Sequence, residues 1–155
     1  MNNINKREII VIIVLFLLVL GFSFYYNYGS VFREMNSVCF EERCFTVEIA
    51  DDDEERQQGL MFRESLEQDK GMFFVFPKND IYPFWMKNTL IPLDIIWIDE
   101  NRIVVFISKN VQPCVADPCQ IIEPEKEALY VLELNAGTSD EIGLEVGDEV
   151  EFRNV

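Results

Sequence analysis

The chain has 155 residues, of which 49% are hydrophobic, and a formal net charge of −15 from 28 acidic and 13 basic residues. This length allows one domain of ordinary size and one membrane segment. The acidic balance argues against nucleic acid and against anionic lipid head groups as partners, because both bind through clustered lysine and arginine. The chain has no histidine, which excludes a Ser-His-Asp triad and a histidine-ligated catalytic zinc.

The N-terminal part of the chain predicts a membrane anchor. Lys6 and Arg7 precede an uncharged, apolar run over residues 9–28, which is about the length that a helix needs to cross a bilayer. No small-residue cleavage site follows, so an uncleaved anchor is favoured over a cleaved signal peptide. The basic residues before the run predict a cytoplasmic N-terminus. The predicted organisation is a cytoplasmic N-terminus (1–8), a transmembrane anchor (9–28), a linker (29–37) and an extracytoplasmic β-rich domain (38–155).

Four cysteines form two close pairs, Cys39 with Cys44 and Cys114 with Cys119. Local pairing is the simplest of the three possible connectivities, and a compartment outside the cytoplasm favours disulfides. A four-cysteine zinc site is the alternative, although the spacing is loose for zinc. The sequence therefore predicts two local disulfides, no metal site and no cofactor.

The first half of the domain predicts strands around one short helix. Alternation over residues 45–49 predicts a half-buried strand. The acids at 51–55 predict a helix N-terminus rather than a calcium loop, because the ligand spacing and turn glycine of such a loop are missing. Residues 71–77 are apolar on both faces and predict a central strand, which residues 78–80 end with a turn. Residues 93–98 predict another two-sided strand.

The second half predicts more strands and a second helix. A strand over residues 102–108 would complete a hairpin, and residues 129–134 and 149–153 predict two further strands. Residues 140–144 predict a short helix capped by Thr138 or Ser139. The predicted fold class is α+β and β-rich: a compact, barrel-like antiparallel or mixed sheet with two short helices, preceded by one transmembrane helix.

The stretch from Phe84 to Asp94 is the candidate functional site. It sets polar side chains between two apolar runs, and buried polar groups need either partners or a ligand. Three hypotheses follow: the polar groups neutralise one another, they bind a ligand, or Asp94 acts as an acid or base. Both tryptophans are expected in the core rather than at a ligand. The candidate ligand-binding residues are Arg63, Trp85, Lys87, Asn88, Thr89 and Asp94.

Six short motifs together resemble a known family. They are Gly59 to Arg63, Gly71 to Phe76, Phe84 to Ile95, Tyr130 to Glu133, Asn135 to Gly137, and Gly147 with Asp148. In order and spacing they resemble domain-of-unknown-function family 192, also called uncharacterised protein family 0127. The resemblance covers residues 44–152 and implies a compact β-rich domain that is often exported or membrane-tethered. It implies no reaction, and the second cysteine loop lies outside the family's core pattern.

The sequence favours a non-enzymatic function in the cell envelope. The predicted function is a membrane-anchored extracytoplasmic domain that binds an unknown envelope ligand or protein as an accessory module. One alternative is an extracytoplasmic enzyme that uses Asp94 with Lys87 or Arg63 as its electrostatic partner. Another is a purely structural partner of a second membrane protein. Convergence of the candidate side chains in an open pocket would favour binding or catalysis, whereas buried, mutually paired side chains would favour a structural contribution.

Overall fold

The computed structural model describes residues 7, 15–20, 22 and 36–155. The chain divides into two units, Met1–Glu34 and Met35–Val155. The described residues of the first unit are helical. Within the described part of the chain, no helix is long and apolar enough to cross a membrane. Most of the predicted anchor at 9–28 lies outside the described residues, so the anchor stays a prediction.

Residues 36–155 fold into nine strands and two short helices. The strands are β1 (Ser37–Phe40), β2 (Arg43–Ala50), β3 (Lys70–Asp80), β4 (Phe84–Trp85), β5 (Leu93–Ile98), β6 (Val104–Val111), β7 (Ile121–Ile122), β8 (Ala128–Asn135) and β9 (Glu151–Arg153). The helices are α1 (Asp53–Gln58) and α2 (Thr138–Glu141). The predicted strands and both predicted helices are therefore present, with shifts of a few residues at their ends.

Seven of these strands form one mixed, curled sheet. The strand order is β6-β5-β8-β3-β2-β1-β9, with β2 and β3 parallel and the other neighbours antiparallel. Ile103 and Glu149, just before the two outermost strands, form an isolated antiparallel bridge, so the outer edges meet at one point. β4 and β7 form a separate ribbon. The structure confirms the prediction of a β-rich, barrel-like mixed sheet with few helices.

The sheet is covered by a hydrophobic core on each face. Every residue of β5 is buried, because side chains alternate between the faces of a strand and both faces are covered here. Leu93, Ile95 and Trp97 pack in one core, whereas Ile96 and Ile98 pack in the other. β3 occupies the middle of the sheet, as its two-sided apolar run predicts.

Both predicted disulfides are present. Cys39 and Cys44 lie directly opposite each other in the β1-β2 hairpin and are bonded. Cys114 and Cys119 are bonded across the loop between β6 and β7. The local connectivity is therefore confirmed, and the four cysteines do not form the alternative zinc site.

The predicted boundaries of one turn, one helix and one strand are wrong. Residues 78–80 do not form a turn, because β3 continues past a register shift and pairs Asp80 with Ala128 of β8. The second helix spans residues 138–141, earlier than the predicted 140–144. Gly137 occupies its N-cap position and contributes no side-chain bond. The last strand begins at Glu151 rather than at residue 149. Residue 149 forms an isolated bridge with Ile103 instead.

Gly71 allows close packing between β3 and β8 and gives a test of the sheet. A Cβ atom at this position would lie 2.7 Å from the Glu133 carbonyl oxygen and 2.7 Å from Leu134 Cδ2. We expect Gly71→Ala to lower the free energy of unfolding by about 1–3 kcal/mol, because a backbone atom cannot yield cheaply to overpacking. Urea titration would measure this, with Lys70→Ala as the control. An unchanged midpoint for Gly71→Ala would contradict the close approach.

Candidate functional site

Asp94 is fully buried and is bonded to backbone amides. Its Oδ1 accepts hydrogen bonds from the N–H groups of Asn110 at 2.8 Å and Gly137 at 3.2 Å. Its Oδ2 accepts one from the N–H of Ser139 at 2.8 Å. The first N–H groups of a helix lack partners within the helix, so this carboxylate caps α2 from β5. It thereby fastens the end of β6 and the start of α2 to an inner strand of the sheet.

The two predicted cationic partners bind other acids. Arg63 binds Glu48 of β2 through two guanidinium nitrogens, with Nη2 at 2.6 Å from Oε2, and this pairing lowers the pKa of Glu48. Lys87 Nζ lies 3.1 Å from Asp117 Oδ2 and 5.3 Å from the centroid of the Trp85 ring. Within the described chain, neither cation bonds to the buried carboxylate of β5.

Asn88 and Thr89 connect neighbouring loops. Asn88 adopts a φ of +56°. Its carbonyl oxygen accepts from the N–H of Phe62 at 2.8 Å, and its N–H donates to the carbonyl oxygen of Cys114 at 3.0 Å. The buried Thr89 donates its N–H to the carbonyl oxygen of Met86 at 3.1 Å. The backbone of the central motif therefore holds the loop after α1 next to the second cysteine loop.

An open groove of about 510 Å³ lies between α1 and the central motif. Both aromatic side chains of its lining are exposed to solvent: Phe62 is 67% exposed and Trp85 is 45% exposed. Exposed apolar surface framed by polar residues commonly marks an interaction site. We call this surface the aromatic groove; its lining residues are Glu54, Gln57, Gln58, Met61, Phe62, Trp85, Lys87 and Asn88.

The two tryptophans occupy opposite environments. Trp97 is 0% exposed, and its indole N–H donates to the carbonyl oxygen of Tyr82 at 2.9 Å. Trp85 lies opposite Ile121 in the β4-β7 ribbon, and both side chains are exposed. The core prediction is therefore confirmed for Trp97 and wrong for Trp85, because the short ribbon leaves its outer face uncovered.

A second open cavity is less suited to recognition. It has a volume of about 490 Å³ and lies beside the second disulfide, between residues 108–114 and the β4-β7 ribbon. No aromatic side chain lines it. Its cation, Lys109, lies 2.6 Å from Asp140, so the charge is already paired. The aromatic groove is the better candidate site.

Glu133 is a buried acid that the sequence interpretation did not single out as a site. It lies in β8 between Met72 and Ile95 of the adjacent strands. Its Oε2 has no hydrogen-bond partner within the described chain. Burial raises the pKa of Glu133 to about 8, although Arg63 opposes the increase. The sequence feature that could have revealed this buried carboxyl group is a single acidic residue in the apolar run of β8.

The loop over residues 59–63 lies between this acid and the aromatic groove. A Cβ atom at Gly59 would lie 3.9 Å from Glu133 Oε2. Arg63, at the other end of the loop, interacts electrostatically with Glu133. Phe62 lies within the loop and contributes its ring to the groove. The buried acid is therefore next to a segment that forms part of the groove.

Comparison with known proteins identifies the family. The family model DUF192, described as an uncharacterised ACR family, matches residues 37–152. The chain belongs to the DUF192 family. A UPF0127 protein of Pyrococcus abyssi is 31% identical over 129 residues, which cover 80% of this chain and 97% of the relative. A UPF0127 protein of Thermococcus sibiricus is 29% identical over 111 residues, which cover 68% of this chain and 65% of the relative.

Two crystal structures share the fold of this DUF192 domain. A Sinorhizobium meliloti protein, described provisionally as a transcription regulator, is 36% identical with a TM-score of 0.69; the match covers 76% of this chain and 91% of that protein. A Novosphingobium aromaticivorans protein of unknown function is 36% identical with a TM-score of 0.68; the match covers 75% and 82%. The family model and the two UPF0127 relatives confirm the family resemblance seen in the sequence.

The candidate residues of the DUF192 domain fall into two groups. Three of them, Trp85, Lys87 and Asn88, line the aromatic groove. The others, Arg63, Thr89 and Asp94, do not line the groove and bond to other parts of the protein. Sequence reasoning missed Phe62 as a site residue, because its exposure depends on a loop conformation that no side-chain pattern predicts.

The capping function of Asp94 gives a stability prediction. We expect Asp94→Asn to lower the free energy of unfolding by about 2–4 kcal/mol, because the neutral amide loses charge-assisted bonds and turns a donor toward N–H groups. Asp140→Asn is a matched control on the exposed face of α2, where loss of a surface ion pair costs at most about 1 kcal/mol. Chemical denaturation would compare them, and equal small losses would contradict the capping.

The buried acid gives a pH prediction. Its folded pKa of about 8 exceeds the ordinary value of 4.5, so between these values the folded state binds more protons than the unfolded state. This contribution to stability is complete below pH 4.5 and is lost as the pH rises toward 8. We expect Glu133→Gln to gain stability relative to the parent with increasing pH, by up to about 1.4 kcal/mol per pH unit.

Urea titrations at pH 5, 6, 7 and 8 would measure the difference between the Glu133→Gln variant and the parent. Glu141→Gln, at an exposed position, is the control for removal of a carboxylate. A difference between parent and Glu133→Gln that stays constant from pH 5 to pH 8 would show that the buried acid does not titrate in this range.

Proposed function

We propose that this DUF192 domain is a non-enzymatic binding module that recognises its ligand in the aromatic groove. The exposure of Phe62 and Trp85 is the observation that carries the proposal. Phe62 adopts a φ of +64°, a conformation that costs a residue with a side chain roughly 1–2 kcal/mol. Stability alone gives no reason to hold an exposed ring in this way, whereas unusual backbone conformations cluster at binding sites.

We further propose that the module acts outside the cytoplasm, attached to the membrane by residues 9–28. The length of the apolar run supports an anchor, and the basic residues before it support a cytoplasmic N-terminus. The two disulfides support an oxidising compartment. An envelope ligand or an envelope protein is then the expected partner.

Other functions receive less support from the site. Catalysis by Asp94 would require access to substrate, but this carboxylate is fully buried and accepts three backbone hydrogen bonds. The Sinorhizobium meliloti protein is described provisionally as a transcription regulator. Nucleic acid as a direct partner of this chain does not suit its net charge of −15. A structural contact with another membrane protein would be one form of the proposed binding.

Thermal unfolding of the full chain tests the proposal. We expect at least one member of a panel of envelope-derived small molecules and soluble peptides to raise the melting temperature, because a ligand that binds only the native state stabilises it. The shift should disappear in Trp85→Ala. It should persist in Val146→Ala, which shortens an exposed apolar side chain outside the groove. A ligand that stabilises Trp85→Ala as strongly as the parent would place the site elsewhere.

A further inference from the structure

The aromatic groove has two chemically different walls. One wall is α1, from which Glu54, Gln57 and Gln58 face the groove. Their spacing of three and four residues places them on one face of the helix. The opposite wall carries the rings of Phe62 and Trp85. An occupant must therefore offer ring-shaped or flat apolar groups to one wall and hydrogen-bonding groups to the other.

The charges that line the groove favour a cationic occupant. Lys87 is already paired with Asp117. Glu54 also lines the groove, and within the described chain its side chain makes no hydrogen bond or salt bridge. The other acids of α1 are engaged: Asp53 pairs with Arg56, and Glu55 accepts from the N–H of Asp51. The N-cap residue Asp52 accepts from the N–H of Glu55. The groove thus presents one unpaired carboxylate within a domain that is strongly acidic, which attracts basic partners.

The amide side chains on the helical wall can bind peptide groups. Gln57 and Gln58 are exposed, and no protein hydrogen bond occupies either side chain within the described residues. Each carboxamide can donate to a carbonyl oxygen and accept from an N–H group. An extended peptide without internal hydrogen bonds leaves such groups available along its length.

Among the known forms of peptide recognition, a polyproline segment fits these walls. An added β-strand would need a long free strand edge, but β4 has two residues and is paired with β7. A bound amphipathic helix would need a continuous apolar groove, whereas one wall here is polar. Proline-rich segments dock in open, aromatic-lined grooves and lose little entropy on binding, because their conformation is preformed.

We propose that the aromatic groove binds a basic, proline-containing segment of a partner protein. In this arrangement proline rings pack on Trp85 and Phe62, the glutamines of α1 bond to peptide groups, and an arginine or lysine of the partner pairs with Glu54. The proposal rests on the proposed function, since it names the class of ligand for the same groove. A neutral oligosaccharide is the competing occupant, and it would leave Glu54 without a cation.

A peptide library tests the class of ligand. The probe is a library of tryptophan-free dodecapeptides with four prolines and two arginines at fixed positions, screened against the full chain. The intrinsic tryptophan fluorescence of the chain, followed as each selected peptide is added, then gives the affinities. The chain has two tryptophans, and Trp97 is fully buried, so a peptide-induced change reports on Trp85. We expect binders, and no binder in the library would overturn the inference.

Changes in the selected peptide separate its two features. Replacement of the prolines by alanine, or of the arginines by glutamate, should weaken binding at least tenfold. Affinity should also fall as salt is raised, because exposed charges are screened. Equal affinity after either replacement would overturn the proposal of a basic proline-containing ligand.

Variants of the chain locate the contact. In isothermal titration calorimetry, which does not need the Trp85 fluorophore, Trp85→Ala and Glu54→Lys should each weaken binding at least tenfold. Glu141→Lys, which adds the same charge to α2, and Val146→Ala should have little effect. Peptides that bind Trp85→Ala as well as the parent would overturn both this inference and the proposed groove. If only a neutral hexasaccharide binds, and only when Trp85 is intact, the groove stands and the peptide inference fails.

Discussion

The bonding of the Asp94 carboxylate to three backbone N–H groups is the interaction on which the rest of the domain depends. It joins β5, the end of β6 and the first turn of α2, three segments that are distant in the sequence. A four-residue helix with glycine at its N-cap has little stability of its own. The Asp94 side chain of β5 supplies the hydrogen-bond acceptors that the N-cap glycine lacks. A buried charge is tolerated at this point because every bond it accepts comes from a fixed backbone donor.

The same principle explains much of the polarity of the central motif. Asp94 fastens helix to sheet, Arg63 closes the loop over residues 59–63 onto β2, and the backbone of Asn88 holds Phe62 in place. In these contacts, hydrogen-bonding groups of the motif hold neighbouring segments of the protein in position. The aromatic groove lies beside these contacts, and the carbonyl oxygen of Asn88 holds the backbone of Phe62. Recognition in this domain would therefore depend in part on the backbone of the central motif.

The charge distribution of the domain favours a basic partner in the groove. Several surface acids have local partners: Glu48 pairs with Arg63, Asp117 with Lys87 and Asp140 with Lys109. Exposed pairs of this kind contribute little to stability, but they offset the few cations of an acidic chain. A carboxylate that stays unpaired beside exposed aromatic rings, as Glu54 does, is then available to a basic partner. Glu133 is buried near the same loop, and its raised pKa makes the free energy of unfolding of the domain fall as the pH rises.

The sequence by itself determined the strands, the local disulfides and the family. Two-sided apolar runs require cover on both faces, which places β3 and β5 inside the sheet, and cysteines five positions apart can pair without help from the rest of the chain. The tertiary structure decided the site. Trp85 and Trp97 both have apolar neighbours in the sequence, but Trp85 lies in a ribbon of two-residue strands and Trp97 in an inner strand of a seven-stranded sheet. Likewise, the partner of Asp94 could not be predicted, because backbone N–H groups carry no residue signature and only the fold brings them together.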